Sequence, residues 1–447
     1  MQPTLPLQTL LRTEPTLAFV PSFLSDFPEA DIFLVGGAVR DAILSRPVHD
    51  LDLVIRGVSA AQLEPWFGAR GKVAQVGRDF GVIKFQPTGH RGKEIDIALP
   101  RVEHALPESL GGYRDFDVQA DPNLPIESDL SRRDFTINSL AYNLRTSVLV
   151  DPFKGVDDVH HRVIRAVGNP SDRFSEDLTR VLRAIRFAAE LAAKIEPETW
   201  SALKNLTEKL NLTRIGEDGK EEFVVPREVL GKEVGKALLA DANLSIVLLR
   251  DSGALKTLLP VIDQRIETDL AYLDPIGHGG FTQLTVILTL LLRAMNPNEA
   301  AQAVRDLGLN AQKKESPLHV IPQDVAWMLE QLQNPEALLE ITHAPGSKFE
   351  CFFMNGRSEM FLPLLKSLEM TDIVDAAKKR REHILSIWKV SHHKHIPRLI
   401  SGDDILALGV EQGPRVRELL NLIRDGQLDG TILRREDAMR KLKASVE

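Results

Sequence analysis

Residues 31–55 hold the pattern that most constrains this chain. An apolar run, Asp31–Val35, ends in Gly36-Gly37, and a second run opens with Asp50-Leu51-Asp52. The first run reads as a buried strand entering a tight turn. Val39–Ser45 can make a short helix, and Asp50–Ile55 alternates carboxylate and aliphatic residues as a strand with one wet face should. Two glycines at a strand end let backbone N–H groups approach a polyanion, and the following helix adds its positive end. Arg40 stands near the start of that helix, within reach of a phosphate. On a strand Asp50 and Asp52 share a face, where they can hold hard divalent cations through oxygen. Taken alone, a Gly-Gly is a turn and an Asp-x-Asp a solvated strand end. One short helix between them makes them a single constellation.

Further strand candidates are Lys72–Val76, Gly81–Phe85 and Glu94–Leu99, whereas polar, Gly-containing Glu103–Asp121 reads as a mobile loop. Past about residue 155 helical periodicity takes over. The clearest helix is Asp177–Leu191, with Leu178, Leu182, Ile185 and Ala189 on one face and Asp177 and Arg180 neighbours on another. Ala301–Leu307, Val325–Leu332, Asp372–Trp388 and Pro414–Asp425 follow. The fold class is therefore α+β: a small N-terminal head with a mixed sheet on an elongated helical body. Ser131-Arg132-Arg133-Asp134-Phe135-Thr136-Ile137-Asn138 reads either as a capped helix start or as a pair of arginines suited to phosphate.

The net charge of −8 argues against a nucleic-acid partner only if its distribution is ignored. Residues 131–186 carry ten Lys/Arg against seven Asp/Glu, and 378–398 carry seven against one. Two basic islands on an acidic chain suit localised phosphate contacts. The single cysteine, Cys351, excludes an internal disulfide framework and reads as a buried small hydrophobe. No apolar run is long enough to span a membrane. The first 30 residues resemble neither a secretory signal nor a transit peptide, so a reducing, cytoplasmic setting is expected.

Three stretches, Gly36–Asp52, Ser131–Asn138 and Glu176–Phe187, resemble the signature blocks of class II tRNA nucleotidyltransferases and their poly(A) polymerase relatives, within the DNA polymerase β-like superfamily. Asp151-Pro152-Phe153-Lys154-Gly155, leading to Val163-Ile164-Arg165, is similar to the family's linking block, and Val225–Leu230 with Glu233 to its neck helix. Gly77-Arg78-Asp79-Phe80, Ile95–Arg101 and Gly112-Tyr113 resemble a bacterial CCA-adding subgroup, and Ser401–Asp404 through Arg434–Asp437 a tail segment of several members. The resemblance is clearest over residues 31–260. It implies an N-terminal extension (1–29), a catalytic head (30–160), a neck (161–260), a helical body (261–372) and a tRNA-binding tail (373–447), the last three all-helical.

Carried over by residue, the resemblance implies that Gly36, Gly37 and Arg40 hold a triphosphate and that Asp50 and Asp52 hold Mg²⁺. Arg133, Arg183 and Arg186 would bind nucleotide, Asp177 and Arg180 would read the base, and Asp96 would be the base for an RNA 3′-hydroxyl. The base-reading pair has its own chemistry. Cytosine and adenine both present an amino donor beside a ring-nitrogen acceptor, which an acceptor-only aspartate beside a donor-only arginine matches; uracil and guanine present the reverse. The expected reaction is addition of C, C and A to a tRNA 3′ end from CTP and ATP, releasing pyrophosphate, with no obligate protein partner. Poly(A) polymerase, CC-only or A-only addition, an inactive RNA-binding relative and a small-molecule nucleotidyltransferase remain the alternatives. Ser139 stands where the family usually has alanine, and no paired His-Asp phosphohydrolase motif is found. His278 stands alone among glycines, and His392-His393 with His395 reads as part of a basic surface rather than a metal site.

Overall fold

The computed structural model describes residues 4–48, 50–76, 82–106, 108–112, 115–216, 218–260, 273, 283–355, 357–389 and 396–446. Gly77–Phe80, Tyr113, His278, His392, His393 and His395 lie outside them. The chain divides into two compact units, Met1–Asp263 and Gln264–Glu447.

The first unit opens with helices α1 (Thr4–Thr13) and α2 (Val20–Asp26), then strand β1 (Asp31–Val35), α3 (Gly37–Ile43), β2 (Leu51–Arg56), α4 (Ala60–Gly68) and the strands β3 (Gly71–Val76), β4 (Val82–Pro87) and β5 (Ile95–Ala98). A ribbon of β6 (Arg101–Ala105) and β7 (Phe116–Ala120) leads to α5 (Ile126–Ser131), and β8 (Ala141–Asn143) and β9 (Leu149–Val150) complete the head. Its sheet has the order β3-β4-β5-β2-β1-β8-β9. It is mixed: β2 and β5 run parallel, and the other neighbours antiparallel. Both faces are covered, which is why β1 reads as an unbroken apolar run. Phe33, Val35 and Val54 pack on Ile126 and Leu130, while Ile32, Leu34 and Ile55 are buried on the opposite side.

The residues preceding β1 belong to this core. Phe19, Phe23 and Phe27, spaced by four, meet Trp66, Phe67 and Phe85 in an aromatic cluster with ring centroids 4.8–6.4 Å apart. Arg145 donates to the Phe27 and Ala30 carbonyls and closes the segment from the sheet side.

The segment Glu103–Asp121 is not loop throughout. Arg101–Ala105 pairs in register with Phe116–Ala120 as a two-stranded ribbon. Val102, His104, Phe116 and Val118 supply a weak period of two, masked by polar neighbours. The tip is tethered: Gly111 accepts a hydrogen bond from the Leu178 N–H, and its φ of +90° permits a close approach at which a Cβ would lie 2.7 Å from the Leu178 side chain.

Beyond the head run α6 (Gly155–His161), α7 (Pro170–Glu176), α8 (Thr179–Leu191), α9 (Pro197–Leu206) and α10 (Arg227–Ala240). α8 packs along α10 and is buried almost all round; Leu178, Leu182, Ile185 and Ala189 form its most apolar stripe. Two small ribbons interrupt the helices: β10 (Val163–Ile164) with β11 (Lys194–Ile195), and β12 (Thr213–Ile215) with β13 (Glu221–Phe223).

The second unit is helical in its described residues, from Gln283–Leu291 to Arg435–Val446. Its last helices close on Ile400, Ile405, Leu419, Ile423, Ala438 and Leu442. Two residues depart from expectation here. Cys351 is exposed, because Phe349 and Phe353 take the inward side of helix Gly346–Phe353 and place it opposite. Arg380, inside the basic stretch 378–398, turns inward and donates to the Thr342 and Ala344 carbonyls at the end of helix Pro335–His343. It serves that helix terminus rather than an open basic face. No described helix is long and apolar enough to cross a membrane.

Candidate active site

Two cavities meet at the Asp50–Asp52 pair. The larger, about 1000 Å³, is lined by Gly37, Arg40, Asp50, Asp52, Arg133, Asp177, Arg180, Arg183 and Arg186, among others. The smaller, about 620 Å³, opens on the other side, between Asp50, Asp52, Asp96, Lys84, Lys93, Glu14 and Thr16. Of the residues singled out from sequence, Gly36 lines neither and Asp96 lines only the smaller.

Gly36 acts from behind. Its φ of +71° turns the chain from β1 into α3, and a Cβ there would sit 2.7 Å from Arg133 Nη1. A side chain at this position would be strained and would push Arg133 away. Arg40 on α3 donates to Asn138 Oδ1 at 2.6 Å and to both Asp41 oxygens. Asp129, fully buried at the end of α5, receives both Arg132 and Arg133. Burial alone would raise the Asp129 carboxyl; the two guanidiniums outweigh it and hold it below the usual carboxylate range. Arg132 is also bonded to Glu103 of β6, so it braces the ribbon, and both Arg132 and Arg133 line the larger cavity.

The α8 arginines are anchored likewise. Arg183 lies on Asp134 at 2.8 Å through Nε, and Asp134 also accepts from Asn138 Nδ2 and the Phe135 N–H. Burial opposes ionisation of Asp134, but Arg183, with the Asn138 amide and the Arg180 charge, holds its carboxyl well below the usual range. Arg183 in turn is pushed above the ordinary guanidinium value by Asp134. Arg186 pairs with Glu233 of α10 at 2.6 Å and with Glu190 at 3.1 Å. None of these carboxylates had a role in the sequence reading. Only Glu190, one turn on from Arg186, leaves a local signal there, the i,i+4 spacing.

The sign of the Asp134 shift gives a test. A carboxyl whose folded pKa is depressed adds stability above its unfolded value, about 3.9, and loses it as pH falls towards the folded one. The thermal midpoint should therefore drop steeply below about pH 4. Asp134→Asn should flatten that acid slope, while costing roughly 1–3 kcal/mol near neutrality because half-buried Arg183 loses its charged partner. Parallel midpoint curves for wild type and variant between neutral and acid pH would show that Asp134 does not carry the acid dependence.

Asp177 and Arg180 do come together, though not as two positions on one helix. Asp177 is extended and caps α8, its Oδ1 accepting from the Thr179 N–H at 2.9 Å and the Thr179 hydroxyl at 2.6 Å. Its Oδ2 lies 4.0 Å from Arg180 Nε. Burial raises the Asp177 carboxyl against the pull of Thr179 and Arg180. Arg180 spends both Nη1 hydrogens on the Arg173 carbonyl and Glu176, and one Nη2 hydrogen on the Arg132 carbonyl. A guanidinium has five N–H groups, so the Nε–H and one Nη2–H stay available beside Asp177 Oδ2.

At the cavity junction Asp52 sits on β2 directly beside Asp96 on β5, with Asp50 just before β2. Burial pushes the Asp52 carboxyl up; Arg133 opposes this, and the Asp96 and Asp50 charges add to it. Asp96 itself accepts from Lys84 Nζ at 2.8 Å. Among the described residues no three metal-type side chains form a ready cage. The donor set, two carboxylates, suits a hard divalent cation that completes its shell with other oxygens. Charge points the same way. Seven Lys/Arg and eight Asp/Glu line the larger cavity, so added cations would favour entry of a polyanion there.

Residues 32–165 match the family model described as the poly A polymerase head domain. Over 236 residues the chain is 42% identical to a multifunctional CCA protein of Stenotrophomonas maltophilia (strain R551-3), covering 52% of each, so it spans about half the length of that relative. Over 319 residues it is 32% identical to the multifunctional CCA protein of Methylobacillus flagellatus, covering 70% of each. Its fold is similar to that of the Bacillus stearothermophilus CCA-adding enzyme in complex with CTP, with a TM-score of 0.69, 22% identity and coverage of 97% and 98%. It is also similar to the Thermotoga maritima CCA-adding enzyme complexed with tRNA, with a TM-score of 0.61, 22% identity and coverage of 98% of each.

Proposed function

From the premise that this chain belongs to the family of the multifunctional CCA proteins, we propose that it is a template-independent tRNA nucleotidyltransferase of the cytoplasm. It adds C, C and A to the tRNA 3′ end from CTP and ATP and releases pyrophosphate. The observation that carries this reading is the larger cavity, in which one wall holds the carboxyl pair and another an aspartate and an arginine with open base-pairing groups.

In this reading Arg40, Arg133, Arg183 and Arg186 receive the triphosphate, and Gly36 and Gly37 let it approach the backbone. Asp177 Oδ2 accepts the amino proton of cytosine or adenine while Arg180 donates to the adjacent ring nitrogen. The smaller cavity, with Lys84 and Lys93, takes the RNA end beside Asp50 and Asp52, for in-line attack on the α-phosphate. Asp96, which lines that cavity and accepts from Lys84, takes the 3′-hydroxyl proton in this reading once Lys84 releases it. Asp50 and Asp52 would hold Mg²⁺, whose charge would supply activation of that hydroxyl and stabilisation of the pyrophosphate.

Extension of tRNA lacking CCA, tRNA ending in C, tRNA ending in CC and an unrelated RNA, each with CTP, ATP or both, tests this. The expected products end in CCA and grow no further. A tail of A on every RNA would make the chain a poly(A) polymerase, and a stop at CC or a requirement for CC would make it a partial enzyme.

A further inference from the structure

One residue of the larger cavity has no part in that reading. Phe187, on α8 and 5% exposed, lies within cation–π range of three guanidiniums at once. The Cζ atoms of Arg186, Arg40 and Arg183 stand 4.1, 5.2 and 5.4 Å from its ring centroid. Each of these arginines has its own partner on another side: Glu233 for Arg186, Asp41 and Asn138 for Arg40, Asp134 for Arg183. The ring is fixed in turn by the edge of Phe135 at 5.8 Å and 80°.

Three like charges this close repel, and flexible arginines would splay apart or fold onto the nearest carboxylate. An aromatic face between them supplies negative quadrupole to each, and its rigid volume keeps them from collapsing together. A guanidinium resting on a ring keeps its in-plane N–H edge for oxygen acceptors. We propose that Phe187 is a positioning residue for the polyphosphate: it sets Arg40, Arg183 and Arg186 as one preorganised cradle and touches no reacting atom. The inference rests on the cavity taking a nucleoside triphosphate, and it adds that the shared ring, rather than the three ion pairs alone, fixes the cradle. Because the hub acts on phosphate and not on the base, its loss should weaken CTP and ATP equally.

The test compares Phe187→Leu and Phe187→Met, which keep apolar bulk without a ring, with Phe187→Tyr, which keeps the ring. Calorimetric binding of inorganic tripolyphosphate with Mg²⁺ is measured beside steady-state kinetics and thermal midpoints. Folded ringless variants should bind tripolyphosphate roughly tenfold more weakly. KM for CTP and for ATP should rise by a like factor, while KM for tRNA stays within about twofold. Phe187→Tyr should restore binding. Wild-type affinity in a ringless variant would overturn the hub, as would a folded Phe187→Tyr as weak as Phe187→Leu. If the wild type itself binds neither tripolyphosphate nor CTP, the nucleotide reading of the cavity falls, and the hub with it.

Discussion

Asp50→Ala and Asp52→Ala should each lower nucleotide addition by roughly a thousandfold or more, since several kcal/mol of charge stabilisation disappear with the carboxylate and each 1.4 kcal/mol or so is a factor of ten. The two should leave tRNA affinity almost unchanged, because RNA binding follows phosphate contacts rather than the metal site. The structure sharpens the expectation for Asp52. Its carboxyl is raised by burial and by its neighbours Asp96 and Asp50, so removing it relieves repulsion and should not destabilise the head. Single-turnover rates, with filter binding of tRNA alongside, separate catalytic loss from misfolding. Near-normal turnover by either variant would remove the metal assignment.

Much of this site was legible in the sequence because its parts are short and local. The glycine turn and the Asp-x-Asp stretch each follow from one element's geometry, and the Asp177–Arg180 spacing marks a true neighbour pair although Asp177 lies before the helix. What could not be read is which carboxylate lies behind which arginine. Asp134 and Arg183, or Glu233 and Arg186, meet only through packing of separate elements, α8 and α10 in the second case, and periodicity carries no such distance. The inward turn of Arg380 escaped for the same reason: a basic run looks like a solvated face until a neighbouring helix end claims one member. The aromatic residues Phe19, Phe23 and Phe27 did leave a signal, a spacing of four that marks one helix-like face, and it places the segment before β1 in the core. Cys351 failed on a simple count of helix positions between two inward phenylalanines.

Base selection is the second large effect, and here the structure changes the choice of variant. Asp177→Ala would also strip the cap from α8, costing about 1 kcal/mol, and Arg180→Ala would take the side-chain donor from the Arg173 carbonyl and leave Glu176 to Arg173 alone. Asp177→Asn avoids both. Its amide oxygen can go on accepting from the Thr179 N–H, which turns its NH₂ towards the cavity in place of Oδ2. An acceptor for the amino group of C and A then becomes a donor suited to the carbonyl of U and G. A mismatched buried polar contact costs roughly 1–3 kcal/mol, or about tenfold to hundredfold in rate. An exposed i,i+3 pair with no role in binding would be worth only about 0.2–0.5 kcal/mol.

The most direct measurement is therefore incorporation of all four nucleoside triphosphates onto tRNA lacking CCA by the wild type and by Asp177→Asn. Wild type should use CTP and ATP and reject UTP and GTP. The variant should lose roughly tenfold to hundredfold with CTP and ATP while its use of UTP and GTP rises relative to them. Selectivity and rates unchanged in Asp177→Asn would contradict the claim that this protein's own side chains stand in for a template.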